Sequence, residues 1–134
     1  MKRIARCCCR EIGIEIEGLP ARHGVCHCDN CKRRTGSAFG ISAYFQDHQI
    51  VRYIGETSVY EKSSRFGDQI RHFCSKCGTT LYWTLGNWAD HTGIAGGCFT
   101  DDPLPEPTMT INQGDHIYEW VTLPDHWDRT EPED

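Results

Sequence analysis

The sequence lacks any long run of apolar residues, and it lacks a recognisable export signal. Its first residues, MKRIARCCCREIG, are too polar to form the apolar part of a signal peptide. No segment approaches the roughly 20 apolar residues that a transmembrane helix needs. We therefore expect a cytoplasmic protein with no membrane partner, whose thiols stay reduced.

Acidic residues outnumber basic ones, and the basic residues form one dense run. The chain has a formal net charge of −5 at pH 7, and its one dense basic run is Lys32-Arg33-Arg34. Nucleic-acid binding needs a larger basic footprint, so we expect no nucleic-acid partner. The run is long enough to hold a small anion, which predicts a substrate-binding role for Lys32, Arg33 and Arg34. The alternative is a solvated basic loop.

Long helical patterns are missing as well, since no stretch beyond about ten residues follows a 3.6-residue period convincingly. Residues 11–18, EIGIEIEG, alternate in the manner of a half-buried strand. The pattern predicts an all-β fold of antiparallel strands, with a short helical turn after Cys28. Further strand-like runs rich in β-branched and aromatic residues lie at 39–45, 49–54, 58–62, 69–74, 79–85, 93–99 and 116–123.

The length of 134 residues fits one domain. We expect residues 1–134 to form a single zinc domain in which the polar segment 127–134 is a loose tail. A core of this size is modest, so metal ions that join distant segments would add useful stability.

Nine cysteines are many for such a chain. Disulfides, metal ligation and a redox thiol pair are the competing interpretations. The odd count and the missing export signal argue against a disulfide framework, whereas the C-x-C spacings favour metal. Ligation by sulfur alone suits zinc best.

Cys74 and Cys77 form a C-x-x-C pair followed by Gly78, which is typical of zinc sites. Glycine there permits the positive φ that such a turn often needs. Cys7 and Cys9 can supply the other two sulfurs, because residues i and i+2 of an extended segment point the same way. The spacing predicts a structural zinc site on these four cysteines.

Cys26, Cys28 and Cys31 form a second group with no fourth sulfur close in sequence. Three protein ligands with an open fourth position are typical of catalytic zinc. The alternative is that Cys98 or a histidine completes the tetrahedron, which would make the site structural. The residues alone leave both interpretations open, and each of them predicts zinc at two sites.

Four segments in this order resemble the glutathione-dependent formaldehyde-activating enzyme family, including its centromere-protein-V-like members. They are RCCCREIGIEIEG, CHCDNCKRRTGSAFG, FCSKCGTTLYW and FTDDP. The resemblance implies a β-tent, an all-β fold of sheets stapled by zinc. It implies structural-zinc ligands at Cys7, Cys9, Cys74 and Cys77, and a glutathione-associated zinc on Cys26, Cys28 and Cys31.

The resemblance also implies an activity. It is that of a zinc-dependent carbon–sulfur lyase that forms S-hydroxymethylglutathione from glutathione and formaldehyde, with the thiol bound at the open zinc position.

A second hypothesis is a non-catalytic, zinc-stapled binding module for glutathione or a protein partner. A third is a sulfoxide reductase with Cys98 as nucleophile, although GGCFTDD lacks the arginine and asparagine expected there. An exposed strand edge would support a homodimer.

Overall fold

The computed structural model describes residues 1–111 and 116–130. These residues form strands joined by short turns, with one α-helix, α1, at Asp29–Thr35. The all-β prediction is confirmed, and so is the helical turn expected after Cys28. The strands are β1 Lys2–Arg6, β2 Gly13–Glu17, β3 Arg22–Cys26, β4 Gly40–Gln46, β5 Ile50–Ile54, β6 Ser58–Ser64, β7 Gly67–Phe73, β8 Thr80–Leu85, β9 His91–Ala95, β10 Met109–Ile111 and β11 Asp128–Thr130. Short 3₁₀ turns span Asp47–Gln49, Gly86–Trp88 and Gly96–Cys98.

The strands form two sheets. One has three strands in the order β1-β2-β5, and the other has eight in the order β11-β10-β3-β4-β9-β8-β7-β6. The expectation of antiparallel pairing holds except at β10, which pairs in parallel with both β3 and β11. In the described residues no helix has the length and apolar character needed to cross a membrane.

The core lies where the two sheets pack together. Ile12, Ile14 and Ile16 of the predicted alternating segment are all buried, and they share one apolar cluster with Phe45 and Leu81 of the larger sheet. Burying an isoleucine side chain contributes about 1.5–3 kcal/mol. The cluster therefore fixes the small sheet against the large one.

Helix α1 begins and ends at residues suited to those places. The Cys28 sulfur accepts a hydrogen bond from the Cys31 N–H at 3.4 Å, as an N-cap side chain does. At the other end Gly36 has φ 65°, and its N–H donates to the carbonyl of Lys32. Basic residues in the last turn also complement the helix dipole. One metal-ligand candidate thus caps the helix that carries the next.

Three predicted segments differ from the structure. The strand expected at 93–99 ends at Ala95, and Gly96–Cys98 form a 3₁₀ turn instead. Residues 116–123 were expected to be a strand but form turns and irregular backbone. In the segment expected to be a loose tail, Asp128–Thr130 form β11, whose partner is β10; residues 131–134 of that tail lie outside the described residues.

Candidate metal centres

The first cysteine cluster brings together two turns from distant parts of the chain. The sulfur atoms of Cys7, Cys9, Cys74 and Cys77 all lie within 4.8 Å of one another. The Cys7–Cys9 and Cys9–Cys74 sulfur distances are 3.7 and 3.6 Å. Four thiolates around zinc at about 2.3 Å would be about 3.8 Å apart, so the cluster fits a tetrahedral zinc site.

The two turns reach this geometry differently. Gly78 has φ 80° and donates its N–H to the carbonyl of Cys74 at 2.8 Å, as the C-x-x-C-G pattern predicted. The spacing predicted an extended segment at Cys7 and Cys9, but the structure has none there. The two cysteines occupy a turn between β1 and β2, closed by a hydrogen bond from the Arg10 N–H to the Cys7 carbonyl at 3.0 Å.

Thr79 connects the two turns, and no sequence pattern pointed to it. Its hydroxyl accepts a hydrogen bond from the Cys8 N–H at 3.1 Å and lies 3.3 Å from the Cys77 sulfur. The hydrogen bond from the Thr79 hydroxyl, followed by those from the backbone N–H groups of Thr79 and Cys9, lowers the pKa of Cys77 to about 5. A thiol that ionises readily is suited to metal binding.

The second cluster lies at the junction of β3 and α1. Cys26 ends the strand, Cys28 caps the helix and Cys31 lies in its first turn. Their sulfur atoms all lie within 4.8 Å of one another, and Cys26 and Cys28 are 3.5 Å apart. Across residues 1–111 and 116–130, no fourth cysteine, histidine or carboxylate joins this group.

The electrostatics of the second cluster also fit a cation. Hydrogen bonds from Cys26 and Cys31 lower the pKa of Cys28 to about 2. Hydrogen bonds with Cys26 and, next, with Cys28 raise the pKa of Cys31. Three thiolates this close repel one another unless a positive charge lies between them. Zinc would supply that charge, and both clusters could hold it.

His27 lies between two of these cysteines but faces away from them. It is fully buried, and its Nε2 is 2.9 Å from the Thr110 hydroxyl on β10. The histidine therefore joins the cysteine loop to the neighbouring strand. It does not belong to the sulfur cluster.

A cavity of about 780 Å³ opens beside the second cluster. Its walls include the three cysteines, the aromatic side chains of Tyr44, Trp83 and Trp88, and several basic residues. This volume is within the usual range for small-molecule sites. The open side of the sulfur cluster thus meets a space large enough for a ligand.

Comparison with known proteins agrees with this arrangement. Residues 2–118 match the family described as glutathione-dependent formaldehyde-activating enzyme. The chain belongs to this family. No curated protein matches the chain. The crystal structure of a Rhodobacter sphaeroides protein is 23% identical, with a TM-score of 0.57, and the likeness covers 75% of this chain and 88% of that one. At that identity the likeness shows a shared fold.

In this member of the formaldehyde-activating enzyme family, the basic run occupies three different environments. Lys32 donates to the carbonyl of His116 and lies 3.9 Å from the centre of the Tyr118 ring. Arg33 is exposed. Arg34 lines the cavity, where its guanidinium lies 4.5 Å from the centre of the Trp83 ring. Of the three, Arg34 has the direct contact with the cavity.

Three polar side chains hold α1 against the β6–β7 hairpin, and no sequence pattern predicted these contacts. Lys62 donates to the Asn30 side-chain carbonyl at 3.1 Å, and Arg71 donates to the same oxygen. Asn30 lies between two of the cysteines, so the hairpin fixes the loop that carries the sulfurs.

Cys98 lies apart from both sulfur clusters. It is half-buried and packs against the hydrophobic core. Burial raises the pKa of its thiol, which lowers its reactivity. In the described residues it is not within 4.8 Å of the Cys26 group as a further ligand.

Proposed function

We propose that this protein forms S-hydroxymethylglutathione from glutathione and formaldehyde, as a zinc-dependent carbon–sulfur lyase. The observation that carries the proposal is the three-sulfur cluster with an open side facing a ligand-sized cavity. Membership of the family supports it. The four-sulfur cluster of Cys7, Cys9, Cys74 and Cys77 would hold a structural zinc that ties the β1–β2 turn to the β7–β8 turn.

Cys26, Cys28 and Cys31 would hold the second zinc. When bound, a zinc ion lowers the pKa of a thiol at its open position and so provides a thiolate at neutral pH. In the reaction the thiol sulfur forms a bond to the formaldehyde carbon. The carbonyl π electrons move to oxygen, which takes up a proton in place of the one that the thiol released. No oxidant or reductant is needed.

The residues of this chain contribute binding and orientation. Asn30 and the hairpin hold the cysteine loop in place, and the aromatic side chains of Tyr44, Trp83 and Trp88 line the cavity. The basic run Lys32, Arg33 and Arg34 would attract the carboxylates of the tripeptide, with Arg34 closest to the cavity. Orientation of the two reactants is the main source of acceleration that these features allow.

The test is product formation above the rate in buffer, since thiols add to formaldehyde unaided. Zinc-loaded protein should accelerate formation of the adduct, followed by carbon-13 NMR exchange between formaldehyde and product. Cys28→Ser should abolish the excess rate and remove one of two zinc ions. In the wild type, X-ray absorption should count about 3.5 sulfur ligands per zinc before glutathione is added, because one site has four and the other three.

A fully zinc-loaded sample that gives no rate above buffer would overturn the enzyme proposal. If that sample still binds glutathione, the non-catalytic binding module is the correct interpretation. Four sulfur ligands at both sites without glutathione would contradict the open position.

A further inference from the structure

A second cavity, of about 410 Å³, opens beside the 3₁₀ turn Gly96–Cys98. We call it the His23 cavity, because His23 lines it. The volume is within the usual range for small-molecule sites, so the cavity has room for a ligand of its own. Its wall is mostly apolar and includes Ile41, Phe99, Leu104 and three prolines of the segment 103–107.

The His23 cavity lies on the other face of the sheet from the second cysteine cluster. On β3, Arg22 and Cys26 line the cavity beside that cluster, whereas His23 lines the new one. On β4, Tyr44 lines the former and Ile41 the latter. Successive residues of a strand point to opposite faces of the sheet. The sheet therefore separates the two cavities, and a ligand in the His23 cavity would not contact the cysteines.

The imidazole of His23 lacks a hydrogen-bond partner among residues 1–111 and 116–130, since Thr108 bonds to its backbone carbonyl and not to the ring. The side chain is 7% exposed, and polar groups as buried as this usually have a partner. Its Nε2 atom is 3.7 Å from the position that a β-carbon on Gly96 would take. Because Gly96 also lines the cavity, this nitrogen lies at the cavity wall, within reach of a ligand.

The charges around the His23 cavity favour an uncharged ligand. Burial lowers the pKa of His23, so at neutral pH the ring is uncharged and one of its nitrogens accepts a hydrogen bond. In the part of the chain that the structure describes, no lysine or arginine lines the cavity, whereas Glu106 does. Hydrogen bonds from Trp127 and then His126 lower the pKa of Glu106, which keeps it ionised. An anion would therefore be repelled, with no cation to compensate.

We propose that the His23 cavity is a second ligand site, which binds a small uncharged molecule with an apolar ring and one hydroxyl group. The hydroxyl would donate a hydrogen bond to the free ring nitrogen of His23. The apolar ring would pack against Phe99 and the prolines, which removes apolar surface from water. The site is separate from the proposed reaction, because the sheet lies between it and the cysteines.

The experiment compares p-cresol with p-xylene, in which a methyl group replaces the hydroxyl. At about pH 7.5 p-cresol is uncharged, because a phenol of this kind has a pKa of about 10. NMR titration of the zinc-loaded full chain, labelled with nitrogen-15, measures both dissociation constants. We expect p-cresol to bind roughly fivefold more tightly, as one neutral hydrogen bond allows. The anion 4-methylbenzoate should bind at least about tenfold more weakly than p-cresol.

Two variants test the role of the imidazole. His23→Leu removes the acceptor and keeps an apolar side chain, so it should bind p-cresol and p-xylene with affinities within about twofold of each other. His48→Leu is the matched control, because His48 is exposed on the 3₁₀ turn Asp47–Gln49 and lies outside the cavity. It should keep the wild-type preference. Amide spectra and zinc content verify that each variant is folded.

The spectra of the wild type also locate the ligand, and they do so even if His23→Leu fails to fold. We expect p-cresol to shift the amide signals of Gly96, Gly97 and Thr100 and the ring-nitrogen signal of His23. The indole signal of Trp83, which lines the other cavity, should not move.

Equal affinity of the wild type for p-cresol and p-xylene would overturn the inference, as would a preference that persists in His23→Leu. Shifts at Trp83 without shifts at Gly96 and Gly97 would place the ligand in the other cavity and overturn it too. Absence of p-cresol binding up to its solubility limit has the same meaning. None of these outcomes bears on formation of the formaldehyde adduct, which is measured separately.

Discussion

The indole N–H of Trp83 donates a hydrogen bond to the hydroxyl oxygen of Tyr44 at 3.1 Å. The two residues lie on β8 and β4, and the strand between them, β9, places Gly93 directly opposite both. The two aromatic side chains therefore meet above Gly93, which has no side chain. Burial raises the pKa of Tyr44 to about 12, so the hydroxyl stays neutral.

Gly93→Ala should disrupt that contact. A β-carbon there would overlap the indole and lie 2.8 Å from the Tyr44 ring, so we expect a loss of about 1–3 kcal/mol in the free energy of unfolding. Urea denaturation of the zinc-loaded protein measures it. Gly97→Ala is the control, because a β-carbon there meets no atom within 4 Å and should change stability by less than about 0.5 kcal/mol. Equal losses in both variants would contradict the interpretation.

Cys74→Ser should lose the structural zinc and destabilise the protein by more than about 3 kcal/mol, because the metal closes a long chain segment. Cys98→Ser should retain two zinc ions, since the Cys98 sulfur belongs to neither cluster. Metal analysis and thermal unfolding distinguish the two variants. Loss of a zinc ion from Cys98→Ser would show that this thiol is a ligand after all.

Asn30→Ala should cost about 1–3 kcal/mol in stability, because the buried guanidinium of Arg71 loses an acceptor. Asn30→Asp keeps the acceptor oxygen and should remain near wild-type stability. The added negative charge should nonetheless weaken binding of glutathione, since it reduces the positive charge that lines the cavity. Urea denaturation and glutathione titration together check both effects. An alanine variant as stable as wild type would show that the hairpin does not depend on this contact.

His23 should make stability depend on pH. The side chain is 7% exposed, and burial lowers its pKa below 6.5. As the pH falls through about 6.5, the imidazole of His23 takes up a proton in the unfolded chain more readily than in the folded protein. The free energy of unfolding is therefore highest above this pH and decreases below it. When the pH is lowered from about 7.5 to about 5.5, the free energy of unfolding should decrease by up to about 1 kcal/mol more in the wild type than in His23→Gln. The comparison between the two proteins cancels any effect of metal release. Parallel pH profiles would exclude His23 as the cause.

The features predicted correctly from sequence have local causes. Ile12, Ile14 and Ile16 alternate, and all three are buried on one face of the chain. The turn at Cys74 and Cys77 depends on the glycine that follows, whose φ is positive. In both cases the residues that decide the structure are within a few positions of one another.

The features that sequence reasoning missed depend on distant partners. β3 reads Arg-His-Gly-Val-Cys, which has no clear alternation, and it is a strand because β4 and β10 pair with its two edges. Residues 116–123 have the composition of a strand, yet composition does not show whether a neighbour offers hydrogen bonds. Asn30 receives its two donors from residues 32 and 41 positions away, and no short pattern contains that information.

The outermost position of β11 has a practical consequence for anyone who shortens this chain. The family match ends at residue 118, before Trp127, which donates to Glu106 at 2.8 Å, and before Asp128, whose N–H donates to the carbonyl of Thr108 at 2.9 Å. A recombinant fragment that ends at that boundary would lack β11, and β10 would become an exposed edge strand with unpaired backbone N–H and C=O groups. An exposed edge strand can pair with a strand of another chain. The shortened protein would therefore tend to aggregate, although it would retain every cysteine.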